Sequence, residues 1–192
     1  YDLTLPVERG RYARTLALVG RQLGAAPWGD ALEIGCAEGL FTLELARRCS
    51  HVYALELSAE ACQRARQRLV DQHNVTVANN DVIHAGVVGE YDLVFVMDML
   101  AYVSGRWQLR STIDKLLRAL RPEGLLIMSE CCLQDGLEDA WWLRQLAIGG
   151  TNLSRFIESV CGARPVQSEY YPPLGTDIRD YWRHIITVFA KR

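Results

Sequence analysis

The chain has 192 residues, 49% of them apolar and 23% charged, with a formal net charge of −2 and a sequence pI near 6.1. That length suits one domain with a substantial core, and the composition is that of an ordinary soluble globular protein. The charge balance offers no broad field for a polyanion, which argues against nucleic acid as a partner.

Val7 to Leu23 reads as a leading amphipathic helix, with Tyr12, Leu16, Val19 and Leu23 stepping along one face. Arg9, Arg11, Arg14 and Arg21 give it a basic face that is expected to be solvated. Pro27, Trp28, Gly29 and Asp30 break this helix. Leu32 and Ile34, with Ala31 and Cys36, then read as a buried strand, and Phe41, Leu43, Leu45 and Ala46 as the inner side of the next helix. His51 to Leu57 is a second strand, after which Ser58 caps a crossover helix from Ala59 to Gln72. Val75 to Asn79 is a third strand, ending at Asn80 and Asp81. Tyr91 to Met97 is the fourth and most clearly buried, and Asp98 follows it. Trp107 to Leu120 is helical, stopped by Pro122 and Gly124, and Leu125 to Cys132 is a fifth strand. Ala140 to Ile148 and Leu153 to Cys161 read as helices around Gly149 and Gly150; Val166 to Tyr171 and His184 to Ala190 read as strands.

Strands separated by helices imply an α/β domain with a mostly parallel, doubly wound sheet and helices on both faces. The last two strands, with little helix between them, are expected as an antiparallel pair at the sheet edge. No repeat or linker divides the chain, so residues 1–192 are expected to form one domain, with 1–26 as an N-terminal helical cap. A first residue of Tyr1 leaves upstream residues open. Six cysteines (Cys36, Cys49, Cys62, Cys131, Cys132, Cys161) form no C-x-x-C pair or disulfide-like spacing. The four histidines (His51, His73, His84, His184) lack metal-ligand spacing. With no signal peptide and no long apolar stretch, a cytoplasmic protein without a metal is expected.

Ligands of such sheets gather at the carboxyl ends of the strands, where strand order reverses. Glu33 to Gly39, Glu56, Asp81 and Asp98 all fall at such ends. In Glu33-Ile34-Gly35-Cys36-Ala37-Glu38-Gly39 a strand, a tight turn and a helix start meet; glycine there bends the backbone and admits a ligand without a Cβ in the way. Glu56 lies about 20 residues beyond Gly35, the separation at which a carboxylate ending the second strand accepts hydrogen bonds from a ribose diol. An adenosine-bearing cofactor is implied. A dinucleotide site wants a glycine where this chain has Ala37, and the anionic Glu38 would repel a pyrophosphate. A nicotinamide-dependent oxidoreductase is therefore the weaker alternative.

The E-x-G-x-x-x-G form with a downstream acid resembles motif I of the class I S-adenosylmethionine (SAM) methyltransferases. ERGRYARTLALV, LEIGCAEGLFTLELARRC, LELSAEACQRARQRL and YDLVFVMDMLAYV together resemble the nodulation protein S (NodS) type of SAM-dependent N-methyltransferase, over most of residues 7 to 130. That resemblance implies a Rossmann-like methyltransferase domain of seven strands that transfers a methyl group to a small-molecule acceptor and releases S-adenosylhomocysteine. The acceptor it implies is the free amine of an amino sugar or a sugar-like natural product. Where the family tends to show Ser-Glu and paired tyrosines after the fourth strand, this chain has Met97, Asp98, Ala101 and Tyr102.

The same resemblance assigns Glu33, Gly35, Cys36, Ala37 and Gly39 to the methionine end of the cofactor. Glu56 takes the ribose hydroxyls, Leu57 the adenine face, and Asn80, Asp81 and Val82 the adenine edge; Tyr12 closes over the cofactor and Met97 adjoins it. Methyl transfer from a sulfonium is an in-line displacement, so the protein must chiefly position the nucleophile and exclude water, while an amine must be neutral to attack. Asp98 is the expected group to orient an amine or accept its proton, and Tyr102 to shape the pocket. His84 is an alternative base, Trp107, Trp141 and Trp142 are an alternative aromatic lining, and the Tyr170 to Trp182 loop is expected over the acceptor. An O-methyltransferase of the same fold and a noncatalytic binding module are the other readings. Oligomeric state is not legible.

Overall fold

The computed structural model describes residues 4–132, 149–176 and 183–191. In chain order the elements are α1 (Pro6–Leu23), β1 (Asp30–Ile34), α2 (Leu40–Ala46), β2 (His51–Glu56), α3 (Ala59–Arg68), β3 (Val75–Asn79) and β4 (Tyr91–Met97). A 3-10 turn (Leu100–Tyr102), α4 (Arg106–Arg118), β5 (Leu120–Cys132), α5 (Gly150–Val160), β6 (Arg164–Tyr171) and β7 (Arg183–Ala190) complete them. The expected helix from Ala140 to Ile148, with Trp141 and Trp142, lies outside the described residues, as does the end of the Tyr170 to Trp182 loop.

The strands form one sheet in the order β3-β2-β1-β4-β5-β7-β6. The first five are parallel, and β7 runs antiparallel between β5 and the edge strand β6. This is the expected seven-stranded α/β sheet with an antiparallel edge hairpin. The chain leaves β1 toward β2 and β3 on one side and returns to β4 and β5 on the other, so a crevice opens between the carboxyl ends of β1 and β4.

The pleat explains how both faces are covered. In β4, Leu93 and Phe95 pack with Tyr12, Leu16, Val19, Phe41 and Leu45 from α1 and α2. Val94 and Val96 point the other way and pack with Leu109, Ile113, Leu116, Leu153 and Ile157 from α4 and α5. Ser58 caps α3, its Oγ accepting from the Ala61 N–H at 3.2 Å.

Three local expectations change. Leu23 ends α1 41% exposed, and Leu18 takes a core place instead, because the buried stripe drifts round the helix toward the sheet. Arg14 and Arg21 both bind Glu169 on β6, while Arg11 is 2% exposed, so the basic face of α1 is largely paired against the protein. Leu120 belongs to β5 and pairs with Tyr91, and the strand passes Pro122 and Gly124 by a register shift before Leu125 meets Leu93. Arg121 anchors that irregular stretch, reaching Asp92 at 2.6 Å and Asp30 at 3.0 Å.

Candidate active site

β1 delivers the chain into a turn of left-handed backbone, with φ 75° at Gly35, 47° at Ala37 and 78° at Gly39. The Gly35 and Cys36 N–H groups both donate to the Leu55 carbonyl, at 2.8 and 3.1 Å, which ties the turn to β2. Glu56, the last residue of β2, locks it further: Oε2 accepts from the Ala37 N–H at 2.9 Å and Oε1 from the Ser58 N–H at 2.8 Å. A carboxylate has about four lone-pair sites, so capacity for a diol remains.

A cavity of about 1010 Å³ opens over this turn at the carboxyl edge of the sheet, on the scale of a small-molecule site. Its wall includes Tyr12, Glu33, Gly35, Cys36, Ala37, Glu56, Leu57, Asn80, Asp81, Val82, Met97, Asp98 and Tyr102. Among the residues expected from sequence, Gly39 stands behind the wall. A Cβ there would lie 2.8 Å from Leu69 Cδ1, so this glycine lets α3 approach the turn. Leu57 and Tyr102 are largely exposed at the mouth, whereas Tyr12 and Val82 are buried and also serve the core. Burial pushes the Tyr12 phenol up to about 12, and it raises the Cys36 thiol as well, which leaves that cysteine a poor nucleophile.

Two expected acids prove more occupied than their spacing implied. Asp81 accepts from the Ile83 N–H at 2.9 Å and meets His84 Nδ1 at 2.6 Å, and that hydrogen bond holds its carboxyl below the usual range. His84 is thus exposed but partnered, at the adenine end. Glu38 binds Arg64 at 2.7 Å and Arg68 at 3.4 Å, so its repulsion of a pyrophosphate is largely compensated; the argument against a dinucleotide rests instead on the Ala37 Cβ and the neighbouring Glu33 and Glu56. Trp107 is 82% exposed, neither core nor cavity wall.

The other end of the cavity holds a buried polar network that pattern reading missed. Asp98, at φ 53°, accepts from the Cys131 N–H at 3.0 Å through Oδ1. Its Oδ2 meets Arg11 at 3.0 Å and His184 Nε2 at 3.2 Å. Arg11 also grips Glu8 at 2.6 Å and donates to Ser129 Oγ at 3.2 Å. Glu130, 1% exposed, accepts from the Met99 and Leu100 N–H groups at 3.0 and 2.9 Å, and so holds the turn that carries Tyr102. Burial pushes its carboxyl up to about 8, with the charge of Asp98 adding to the rise. Arg11, Glu130 and His184 all belong to the wall. One signal could have found two of them: Glu130 nears the carboxyl end of a parallel strand, and His184 starts an antiparallel one, so both fall at the functional edge.

Four wall residues carry a buried polar atom with no hydrogen-bond partner: Glu33 Oε2, Asn80 Oδ1, Glu130 Oε2 and His184 Nδ1. Burial, with Glu56 nearby, pushes the Glu33 carboxyl up to about 7. Unsatisfied buried polar atoms are uncommon in folded proteins, and their concentration in one cavity marks a place built for a polar ligand.

Comparison with known proteins identifies the family. Residues 4–141 match the model of the family described as Nodulation protein S (NodS). Nodulation protein S of Rhizobium tropici is 34% identical over 122 residues, which are 64% of this chain and 50% of that protein. The chain spans about half the length of the curated relatives it matches. Among solved structures, N-methyltransferase NodS from Bradyrhizobium japonicum WM9, in complex with S-adenosyl-L-homocysteine, superposes with a TM-score of 0.78 at 26% identity, covering 98% of this chain and 89% of that one. A SAM-dependent methyltransferase from Clostridium acetobutylicum ATCC 824, 12% identical, shares the fold with a TM-score of 0.73 over 94% of this chain and 91% of that one. The match over residues 4–141, most of the chain, places this protein in the Nodulation protein S family.

Proposed function

We propose that this protein is a SAM-dependent N-methyltransferase acting on the amine of a small acceptor, an amino sugar or a sugar-like natural product. The carrying observation is the cavity at the β1/β4 crevice, where the unpartnered Oε2 of buried Glu33, the Glu56 carboxylate and the left-handed glycine turn meet. When bound, SAM supplies an electrophilic methyl group on a positively charged sulfur.

The residues present fit such a ligand. With Glu38 paired to Arg64 and Arg68 and burial favouring the protonated forms of Glu33 and Glu130, the Glu56 carboxylate beside the glycine turn is the charge that favours a sulfonium and an ammonium over a pyrophosphate. Glu33 would hold the ligand's ammonium, whose charge offsets the burial that otherwise favours the protonated acid. Glu56 would take the ribose hydroxyls; Asn80, Asp81, Val82 and Leu57 would surround the adenine; Gly35, Cys36 and Ala37 would form the backbone wall, and Tyr12 and Met97 would pack around the methionine portion. Asp98 and Tyr102 belong to the acceptor end, Asp98 as an orienting group and Tyr102 at the mouth.

The NodS relatives and the formal net charge of −2 both favour a small acceptor over nucleic acid. Among the described residues no helix is long and apolar enough to cross a membrane. Calorimetry with S-adenosylhomocysteine and with NAD tests the cofactor: the first should bind and the second should not. Binding of NAD alone overturns the proposal. Mass spectrometry after incubation with labelled SAM and a chitooligosaccharide carrying one free terminal amine tests the acceptor, and label on a hydroxyl oxygen would replace N- by O-methylation.

A further inference from the structure

Resting on the methyl-transfer reading above, we infer that Glu130 is a positioning residue for the reaction: it clasps the turn after β4 and so fixes where an acceptor stands against the cofactor. The backbone ladder between β4 and β5 ends at Met97 and Ser129, with the Asp98 N–H donating to the Ser129 carbonyl at 2.8 Å. Past that point side chains take over in both directions. Asp98 Oδ1 accepts from the Cys131 N–H at 3.0 Å, and Glu130 Oε1 accepts from the Met99 and Leu100 N–H groups at 3.0 and 2.9 Å. Each strand end thus lends a carboxylate to the other's backbone.

The clasp holds a backbone that local structure leaves unsupported. Asp98 is left-handed, with φ 53°, a conformation that a non-glycine residue keeps where its surroundings over-determine it. The 3-10 turn that follows is three residues long and has no side-chain cap of its own. Glu130 caps it from the neighbouring strand. β5 can bear this because its far side is pinned to β7, with Glu130 opposite Ile185 and Cys131 opposite His184.

What the turn carries connects the clasp to catalysis. Leu100 enters the core at 1% exposure, while Met99, Ala101 and Tyr102 belong to the cavity wall. Met99 Cβ and Cγ stand 3.6 Å from the place a Cβ would take on Gly35, so the turn abuts the cofactor bend at one end and reaches the mouth with Tyr102 at the other. A shift of the turn moves the acceptor's wall relative to the cofactor's. In-line displacement depends steeply on that separation, and a misplacement of about 1 Å can slow a reaction about 10²-fold. Glu130 touches neither ligand in this role; it acts through the turn.

The experiment uses the full chain, with S-adenosylhomocysteine, SAM and a chitotetraose bearing one free terminal amine as probes. Glu130→Met keeps the volume but takes the hydrogen-bond partner from both N–H groups, whereas Glu130→Gln keeps a carbonyl oxygen for them. Glu130→Met should bind S-adenosylhomocysteine within about threefold of wild type and lose about 10- to 100-fold in kcat. Glu130→Gln should restore most of that turnover. A merely structural role would lower the melting temperature without separating turnover from product binding. Independently of turnover, the amide 15N–1H resonances of Met99 to Tyr102 should move in Glu130→Met and return in Glu130→Gln. Should Glu130→Met fail to fold, Glu130→Asp draws the carboxylate back by one methylene and should show the same split between binding and turnover.

Wild-type kcat in a folded Glu130→Met or Glu130→Asp, unmoved resonances of Met99 to Tyr102, or rapid hydrogen exchange at the Met99 and Leu100 N–H groups of the wild type overturns the assignment. Failure of the wild type to bind S-adenosylhomocysteine overturns instead the methyltransferase reading on which it rests. If the wild type binds that product yet leaves the chitotetraose unmethylated, the amino-sugar acceptor falls, and the amide resonances decide for or against the clasp.

Discussion

Arg11→Met removes the one cation among the described groups of the Glu8, Asp98 and Ser129 cluster. The guanidinium side chain is 2% exposed and faces Glu8, whose side chain is 7% exposed, and Asp98, at 20%. It makes two hydrogen bonds to Glu8 Oε2, at 2.6 and 3.1 Å, and one to Ser129. Methionine fills most of the volume, so the loss is electrostatic: two largely buried carboxylates must remain with less compensation. Breaking a buried pair in this way costs about 3 to 5 kcal/mol, and at roughly 2 to 4 °C per kcal/mol for a chain of this size the melting temperature should fall by about 6 to 20 °C. Thermal unfolding followed by circular dichroism reads this directly, and the double variant with Glu8→Gln should recover part of the loss because one stranded charge is gone. A fall under about 4 °C for Arg11→Met alone would match an exposed ion pair of about 1 kcal/mol or less and would refute the buried network, returning Arg11 to the solvated face its helical spacing suggests.

Glu56→Ala should weaken S-adenosylhomocysteine by about 1 to 3 kcal/mol through lost charged hydrogen bonds; calorimetry showing unchanged affinity would remove Glu56 from the ribose site. Gly39→Ala, at a positive φ and with Leu69 Cδ1 2.8 Å from the added Cβ, should cost about 1 to 3 kcal/mol of stability, yet the folded variant should bind that product better than Glu56→Ala does. Glu130, raised from 4.5 to about 8, binds a proton in the folded state that the unfolded chain has already lost. Its contribution to stability is therefore greatest below pH 4.5 and declines as pH rises toward 8. Glu130→Gln should flatten that decline in denaturant titrations at pH 5 to 8, and an unchanged slope would argue against a buried neutral acid. Glu33, up at about 7, should ionise when a cationic cofactor binds, so calorimetry of SAM at pH 6 in buffers of different ionisation enthalpy should show proton release, and Glu33→Gln should abolish it.

Local chemistry settled more of this protein than its modest composition suggests. The run Tyr91 to Met97 is a strand because a β-branched and aromatic stretch of that length has no other way to bury both faces, and it sits where expected, with Asp98 at its end. The turn from Glu33 to Gly39 and the spacing to Glu56 were legible for the same reason: a parallel strand, a tight bend and a helix are all made by neighbours in the chain, and their order fixes which edge of the sheet collects the ligand. Gly39 marks the limit of that reasoning, since the motif alone cannot tell a glycine that faces a ligand from one that faces Leu69.

Tertiary structure alone decided the far end of the cavity. Arg11 and Ser129 meet across 118 positions and Asp98 and His184 across 86, and no helical or strand periodicity links residues so far apart. An arginine on a polar-looking helix face becomes buried only because β4 and β5 bring carboxylate and hydroxyl partners beneath it. A histidine scattered among four meets Asp98 only because β7 inserts antiparallel between β5 and β6 and carries it to the carboxyl edge. Side-chain type and spacing could set the elements and the cofactor turn, because those depend on short-range geometry. Which charges lose their water, and which atom is left without a partner, depends on long-range packing, and only the folded sheet determines it.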